Sequence, residues 1–152
     1  MRPGLFQRRL FPKGRLPAYT GFVSKKKRKE LQTVEAFEKA LQEEISISTE
    51  FDLPLTVLAL VIKDGWQDED TRRALAALGT ADLVAQPDPG ELLIALPNTI
   101  TADARVVEEG LRETLPKATV GVAPYRRGDA AQDLLKRART VAWRVTENPE
   151  AT

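Results

Sequence analysis

Residues 84–97 read VAQPDPGELLIALP, two apolar stretches separated by a short turn of Asp, Pro and Gly. This pattern predicts a β-hairpin, because Pro fixes φ in the turn and Gly supplies the positive φ that closes it. The turn also carries two carboxylates, Asp88 and Glu91. The rest of the sequence must therefore show whether they form a working acidic site or only mark a turn.

Apolar periodicity around the hairpin predicts a domain of mixed helices and strands. Residues 55–62, LTVLALVI, are almost continuously apolar, as in a strand buried on both faces. Residues 118–123, ATVGVA, predict a second buried strand. Apolar positions three or four residues apart predict four helices: one from residue 30, one over 68–78, one over 101–115, and one after the capping pair Asp129 and Gln132.

The order of these elements predicts the fold class. After the first helix the order is β-α-β-β-α-β-α, and the two middle strands are joined by the tight turn. A βαβ crossover is right-handed, so the simplest solution is a ferredoxin-like βαββαβ core. We therefore expect an α+β domain, an antiparallel sheet with helices packed on one face.

Composition excludes several classes of function. The 152 residues contain neither Cys nor His, which rules out disulfides, thiolate metal sites and the commonest general base. We expect no cofactor and no bound metal. No apolar run approaches the ~20 residues of a membrane span, and the basic amino terminus lacks the apolar stretch of a signal peptide. A cytoplasmic protein is expected.

Charge divides the chain into two segments. Residues 1–30 contain ten basic residues and one acidic residue, a net charge of +9, whereas residues 31–152 contain 13 basic and 21 acidic residues, a net charge of −8. Pro and Gly recur through residues 1–24 and interrupt any regular element. We therefore predict an extended basic arm over residues 1–30 and a folded domain over residues 31–152.

The folded segment resembles the GGDEF domain of diguanylate cyclases, which act in bacterial cyclic di-GMP signalling. The family's stretch RxxDxxxRxGGDEF is followed by a short apolar strand that ends in Leu-Pro, as residues 79–97 are arranged here. Residues 119–123, TVGVA, are similar to the family's SIGVA strand. Residues 134–146 are similar to the motif LLxxADxALYxAK of its last helix. The resemblance covers about residues 31–147 and implies a nucleotide-cyclase-like fold.

This sequence departs from the family at the positions that hold metal ions. The resemblance places the two Asp residues of the family's DxD motif at Val61 and Lys63, and the third residue of GGDEF at Gly90. The two glycines that admit the nucleotide phosphates become Asp88 and Pro89. Because metal ions and positioning carry phosphoryl transfer, the resemblance implies a domain without cyclase activity.

Other family features are reduced to remnants. Only 18 residues separate Lys63 from Asp82, too few for the family's guanine-recognition segment, and Thr146 replaces a phosphate-binding Lys. The inhibitory RxxD site keeps Asp82 but has Gly79 in place of its Arg. The remnants of nucleotide-contact motifs are Asp82, Asp88, Gly90 and Glu91. We expect Glu91 to be a solvated hairpin residue, with a residual nucleotide or metal contact as the alternative.

Three functions follow from these observations. The first is an inactive GGDEF-like domain that acts as a regulatory module and binds a protein partner or another copy of itself. The second is an adaptor that binds nucleic acid or an anionic membrane through the arm. The third is an enzyme with a rearranged carboxylate site around Asp64, Asp88 and Glu91. The basic residues expected to bind a partner or polyanion are Arg8, Arg9, Lys13, Arg15, Lys25, Lys26, Lys27, Arg28 and Lys29.

Trp66 stands among the acidic residues that follow the first predicted strand. Its large apolar surface fits either of two positions, over the edge of the sheet or on an exposed surface that anchors a partner. The sequence leaves both open.

Overall fold

The computed structural model describes residues 30–147, so the predicted arm lies outside the described residues apart from Glu30. Among residues 30–147, no helix combines the length and apolar character needed to cross a bilayer. The helices are α1 (Val34–Phe51), α2 (Asp68–Ala76), α3 (Thr101–Thr114) and α4 (Ala131–Glu147), and the strands are β1 (Leu55–Val61), β2 (Leu83–Asp88), β3 (Glu91–Pro97) and β4 (Thr119–Pro124).

The four strands form one antiparallel sheet in the order β2-β3-β1-β4. Strand β1 lies inside the sheet, and all seven of its residues are buried, as its continuous apolar run predicts. The helices α2 and α3 connect β1 to β2 and β3 to β4. The predicted ferredoxin-like βαββαβ core is confirmed.

Helices cover both faces of this sheet. The crossover helices α2 and α3 pack on one face, around Leu58, Leu60 and Ile94, and we call this group the α2/α3 cluster. The flanking helices α1 and α4 pack on the opposite face, around Val57 and Leu93, and form the α1/α4 cluster. We predicted that the helices pack on one face of the sheet. This holds for the crossover helices α2 and α3, whereas α1 and α4 cover the opposite face.

The caps of the first two helices show where each helix begins. Helix α1 begins at Val34 rather than at residue 30, because the Thr33 hydroxyl accepts a hydrogen bond from the Ala36 amide at 3.1 Å. Helix α2 is capped by Gln67, whose amide donates to the Asp70 carboxylate at 2.9 Å. The start of α1 thus lies four residues after its predicted position, whereas α2 begins at Asp68 as predicted and ends two residues early, at Ala76.

The predicted capping pair of the last helix is wrong. Asp133, not Gln132, receives the hydrogen bond from the amide that precedes α4, that of Ala130, at 2.9 Å. The Asp129 carboxylate instead accepts two hydrogen bonds from the Arg137 guanidinium, at 2.8 and 3.3 Å. These bonds, with one from the Arg126 amide, hold the pKa of Asp129 below its usual value.

Trp66 is partly buried and packs against the α2/α3 cluster. Its indole Nε1 donates to the Thr71 hydroxyl at 2.9 Å, so its polar atom is satisfied within α2. Of the two positions that the sequence allows, the structure places this side chain over the core.

Candidate functional site

The hairpin between β2 and β3 closes at Gly90, which has φ +106°. Its carbonyl accepts a hydrogen bond from the Ile62 amide at 2.9 Å, so the turn is fixed to the end of β1. A Cβ atom at position 90 would lie 2.8 Å from the Ile62 carbonyl oxygen. Both the dihedral angle and the close approach therefore require glycine here.

Glu91 begins β3 opposite Val61 of β1 and has no exposed surface. Its two carboxylate oxygens accept hydrogen bonds from Nε and Nη2 of Arg139, at 2.8 and 2.9 Å. The expectation of a solvated hairpin residue is therefore wrong. Because helices cover both faces of the sheet, the first position of β3 lies beneath α4 rather than in water.

Arg139 reaches the hairpin from α4 and remains 40% exposed. Its Nη2 also lies 3.9 Å from the Asp88 carboxylate, which is itself largely exposed. Arg139 was not among the residues predicted from the sequence, although a signal was present. In the last-helix motif LLxxAD, Leu134 and Leu135 match the paired leucines, so Arg139 stands where the motif has Asp. A reversal of charge at a motif position could have identified it.

Asp82 is buried at the loop that joins α2 to β2. Its carboxylate accepts a hydrogen bond from the Gly79 amide at 2.7 Å. The remnant of the RxxD site is therefore held together by a backbone contact where the motif would place an Arg side chain. This Asp fixes a turn, and it lies apart from the Glu91–Arg139 pair.

The residues at the expected metal positions do not fit a metal ion. Val61 is buried and apolar, Lys63 is cationic, and Gly90 has no side chain. Divalent cations such as magnesium need several oxygen ligands. Within residues 30–147, no group of three or more acidic side chains is placed to hold a metal, which includes the alternative site around Asp64, Asp88 and Glu91.

A groove of about 570 Å³ lies between α1 and α4, beside the hairpin. Its apolar lining comes from both helices and the two hairpin strands, and its polar lining includes Arg139 of the ion pair. The apolar side chains are Val34, Pro87, Leu93, Leu135 and Trp143, and the polar ones are Glu38, Gln132, Lys136, Arg139 and Thr140. A ligand in this groove would contact the guanidinium that pairs with Glu91.

The fold matches solved structures of GGDEF domains. The diguanylate cyclase SiaD from Pseudomonas aeruginosa, solved with its activator SiaC, matches with a TM-score of 0.68 at 21% identity, over 77% of this chain and 55% of that one. This chain thus spans about half the length of SiaD. No protein-family model matches the sequence, and no curated protein is significantly similar to it.

Two further structures correspond to nearly whole domains. The active GGEEF domain of a diguanylate cyclase from Vibrio cholerae matches with a TM-score of 0.69 at 15% identity, over 78% of this chain and 93% of that one. The GGDEF domain of DgcB from Caulobacter crescentus, in complex with c-di-GMP, matches with a TM-score of 0.68 at 14% identity, over 77% of this chain and 86% of that one. Residues 30–147 thus have the fold of a GGDEF domain. The predicted fold is confirmed.

Proposed function

We propose that this chain is a catalytically inactive GGDEF-like domain that serves as a regulatory module. The observation that carries the proposal is the buried ion pair between Glu91 and Arg139. Glu91 is the carboxylate that remains from the motif, and both of its oxygens are already occupied by the guanidinium. With Val61 and Gly90 at the ligand positions, no carboxylate stands where the motif would hold a metal ion against a nucleotide.

The activity test uses the full chain with GTP and either magnesium or manganese. We expect no cyclic di-GMP above the level of a protein-free blank, while an active GGDEF domain in the same buffer serves as positive control. Product that disappears in a Glu91→Gln variant would contradict the proposal. Such a result would mean that the carboxylate leaves Arg139 during turnover.

A regulatory module must bind something, and solved neighbours suggest two classes of partner. SiaD is complexed with a protein activator and DgcB with c-di-GMP. The proposal therefore includes a protein partner or a second copy, and residual nucleotide affinity at the groove beside Arg139. Calorimetric titration of the full chain with c-di-GMP and GTP tests the nucleotide part, with Lys136→Ala as a groove variant and Lys117→Ala as its control.

The charge of the amino-terminal segment favours a second candidate, an adaptor for nucleic acid or an anionic membrane. Residues 1–30 carry a net charge of +9, a density that can displace counterions from a polyanion. For this candidate, affinity for duplex DNA or anionic vesicles would fall steeply with salt. It would also be lost when the five basic residues from Lys25 to Lys29 are neutralised. Binding that is insensitive to both changes would exclude it.

A further inference from the structure

The outer face of α1 carries exposed apolar side chains in addition to its buried stripe. Ile47 is 42% exposed and Phe51 is 61% exposed, and their spacing of four residues places them on one side of the helix. Leu53, immediately beyond the helix, is 38% exposed. We call these three residues the α1 patch. The buried stripe of α1, which includes Phe37 and Ile45, packs in the α1/α4 cluster without these side chains, so the patch is not needed for the core.

Acidic side chains surround the α1 patch. Glu43 and Glu44 lie one turn before Ile47, and Glu50 lies one turn after it. Within residues 30–147, none of these three glutamates forms an ion pair. The face therefore combines apolar surface with uncompensated negative charge. A partner that fits it must carry large apolar side chains together with basic ones.

The chain that precedes α1 runs in the direction of this patch. The Gln32 amide donates to the Val84 carbonyl at 2.9 Å, and Gln32 forms a parallel bridge with Ala85 of β2. In a parallel arrangement, the residues before Gln32 continue beside earlier residues of β2, that is, towards Leu83.

The start of β2 lies at the end of the sheet where α1 finishes. Leu83 pairs with Ala95, which pairs in turn with Val57, the third residue of β1. Strand β1 follows the end of α1 after only three residues. The amino-terminal segment thus leaves the described residues towards the end of the sheet that carries Phe51 and Leu53.

The composition and length of this segment complement the α1 patch. Residues 1–29 include ten basic residues and seven large apolar ones, Leu5, Phe6, Leu10, Phe11, Leu16, Tyr19 and Phe22. An extended chain of that length can span about 95 Å, whereas the 18 residues of α1 extend about 27 Å. We propose that residues 1–29 bind the outer face of α1 in the same molecule. Their aromatic side chains cover the α1 patch and their basic residues pair with Glu43, Glu44 and Glu50.

Limited trypsin digestion of the full chain tests this contact. Trypsin can cleave a bound segment only after the segment is released, so the cleavage rate reports on binding. Mass spectrometry would follow cleavage after Lys13 and Arg15. In an Ile47→Ser/Phe51→Ser variant we expect cleavage about fivefold faster than in the wild type. The control is Val106→Ser, since Val106 is an apolar residue of α3 that is 67% exposed. Equal rates in the patch variant and the wild type would overturn the proposal, as would an equal acceleration in the control.

Two further measurements separate charge from apolar contact and one molecule from two. Glu43→Gln/Glu50→Gln should also accelerate cleavage, whereas Glu109→Gln/Glu113→Gln on α3 should not. Equal protection from trypsin in these two double variants would overturn the assignment of the contact to the acidic face of α1. The rates should not change when the protein is diluted. Protection that is lost on dilution would overturn binding within one molecule in favour of the arm of a second copy.

Discussion

The ion pair between Glu91 and Arg139 compensates a carboxylate that is fully buried at the start of β3. A carboxylate removed from water is costly unless hydrogen bonds and an opposite charge compensate it. Here the planar guanidinium supplies two parallel hydrogen bonds from Nε and Nη2, the strongest geometry available to a carboxylate. Removal of Arg139 would leave Glu91 buried without that partner, so the loss should appear in folding stability.

We predict that Arg139→Ala lowers the free energy of unfolding by about 1.5–3 kcal/mol, the range for hydrogen bonds to a buried charged group. Urea denaturation at neutral pH measures it. Arg139→Lys should recover only part of the loss, because an ammonium group cannot form both hydrogen bonds in the plane of the carboxylate. The control Arg72→Ala removes an exposed ion pair with Glu69 and should cost far less, because solvent screens that pair. Equal effects at the two positions would contradict the structural role of the pair.

The sequence was misleading at Glu91 for a physical reason. A hairpin residue next to Gly90 is ordinarily solvated, and a sheet covered on one face leaves alternate side chains in water. The structure covers both faces, so the first six of the seven residues of β3 are buried. The partner that neutralises Glu91 lies 48 positions away in the chain, beyond the reach of any local pattern.

At the scale of elements, β4 and α4 approach each other at backbone distance. A Cβ atom at Gly121 would lie 2.2 Å from the Ala138 carbonyl oxygen and 2.7 Å from the Ala142 amide nitrogen. Both contacts are with the backbone of α4, which cannot move aside as a flexible side chain can. Glycine at this position is therefore a condition for the packing of the helix on the sheet.

We predict that Gly121→Ala lowers the free energy of unfolding by about 3 kcal/mol, through displacement of α4 from the sheet. Gly110→Ala is the matched control, because no atom lies within 4 Å of the added Cβ. It should raise the stability by about 1 kcal/mol through the higher helix propensity of Ala. Thermal and urea unfolding of both variants measure the difference. A neutral effect at position 121 would mean that α4 does not pack as closely as described.

The order and type of the elements could be predicted from apolar periodicity, whereas the starts of α1 and α4 could not. Strand β1 is recognisable because all of its positions are buried and apolar. The start of α4 was misassigned because Asp129 has the expected capping spacing, yet its carboxylate binds Arg137, one turn or more inside the helix. A short polar side chain such as Asp129 can cap a helix locally or bind a side chain that folding brings close. The tertiary structure decides which of the two occurs.

At the scale of the whole molecule, both apolar clusters lie between Phe37 and Ala142. We therefore predict that deletion of residues 1–24 leaves a cooperative thermal transition, with a midpoint lowered by about 4 °C or less. The deletion keeps Gln32, whose amide bonds to β2. Circular dichroism during heating measures the midpoint for the full and shortened chains. A shortened chain that fails to unfold cooperatively would make the arm part of the core.

Strand β2 forms one edge of the sheet, and edge strands can recruit strands from other molecules into aggregates. On this edge the Val84 carbonyl already accepts a hydrogen bond from Gln32, and Pro87 has no N–H group to donate. A foreign strand would therefore meet an occupied acceptor at Val84, followed by a strand whose register shifts between Ala85 and Asp88. The β2 edge of the hairpin is therefore a poor template for intermolecular β-sheet growth.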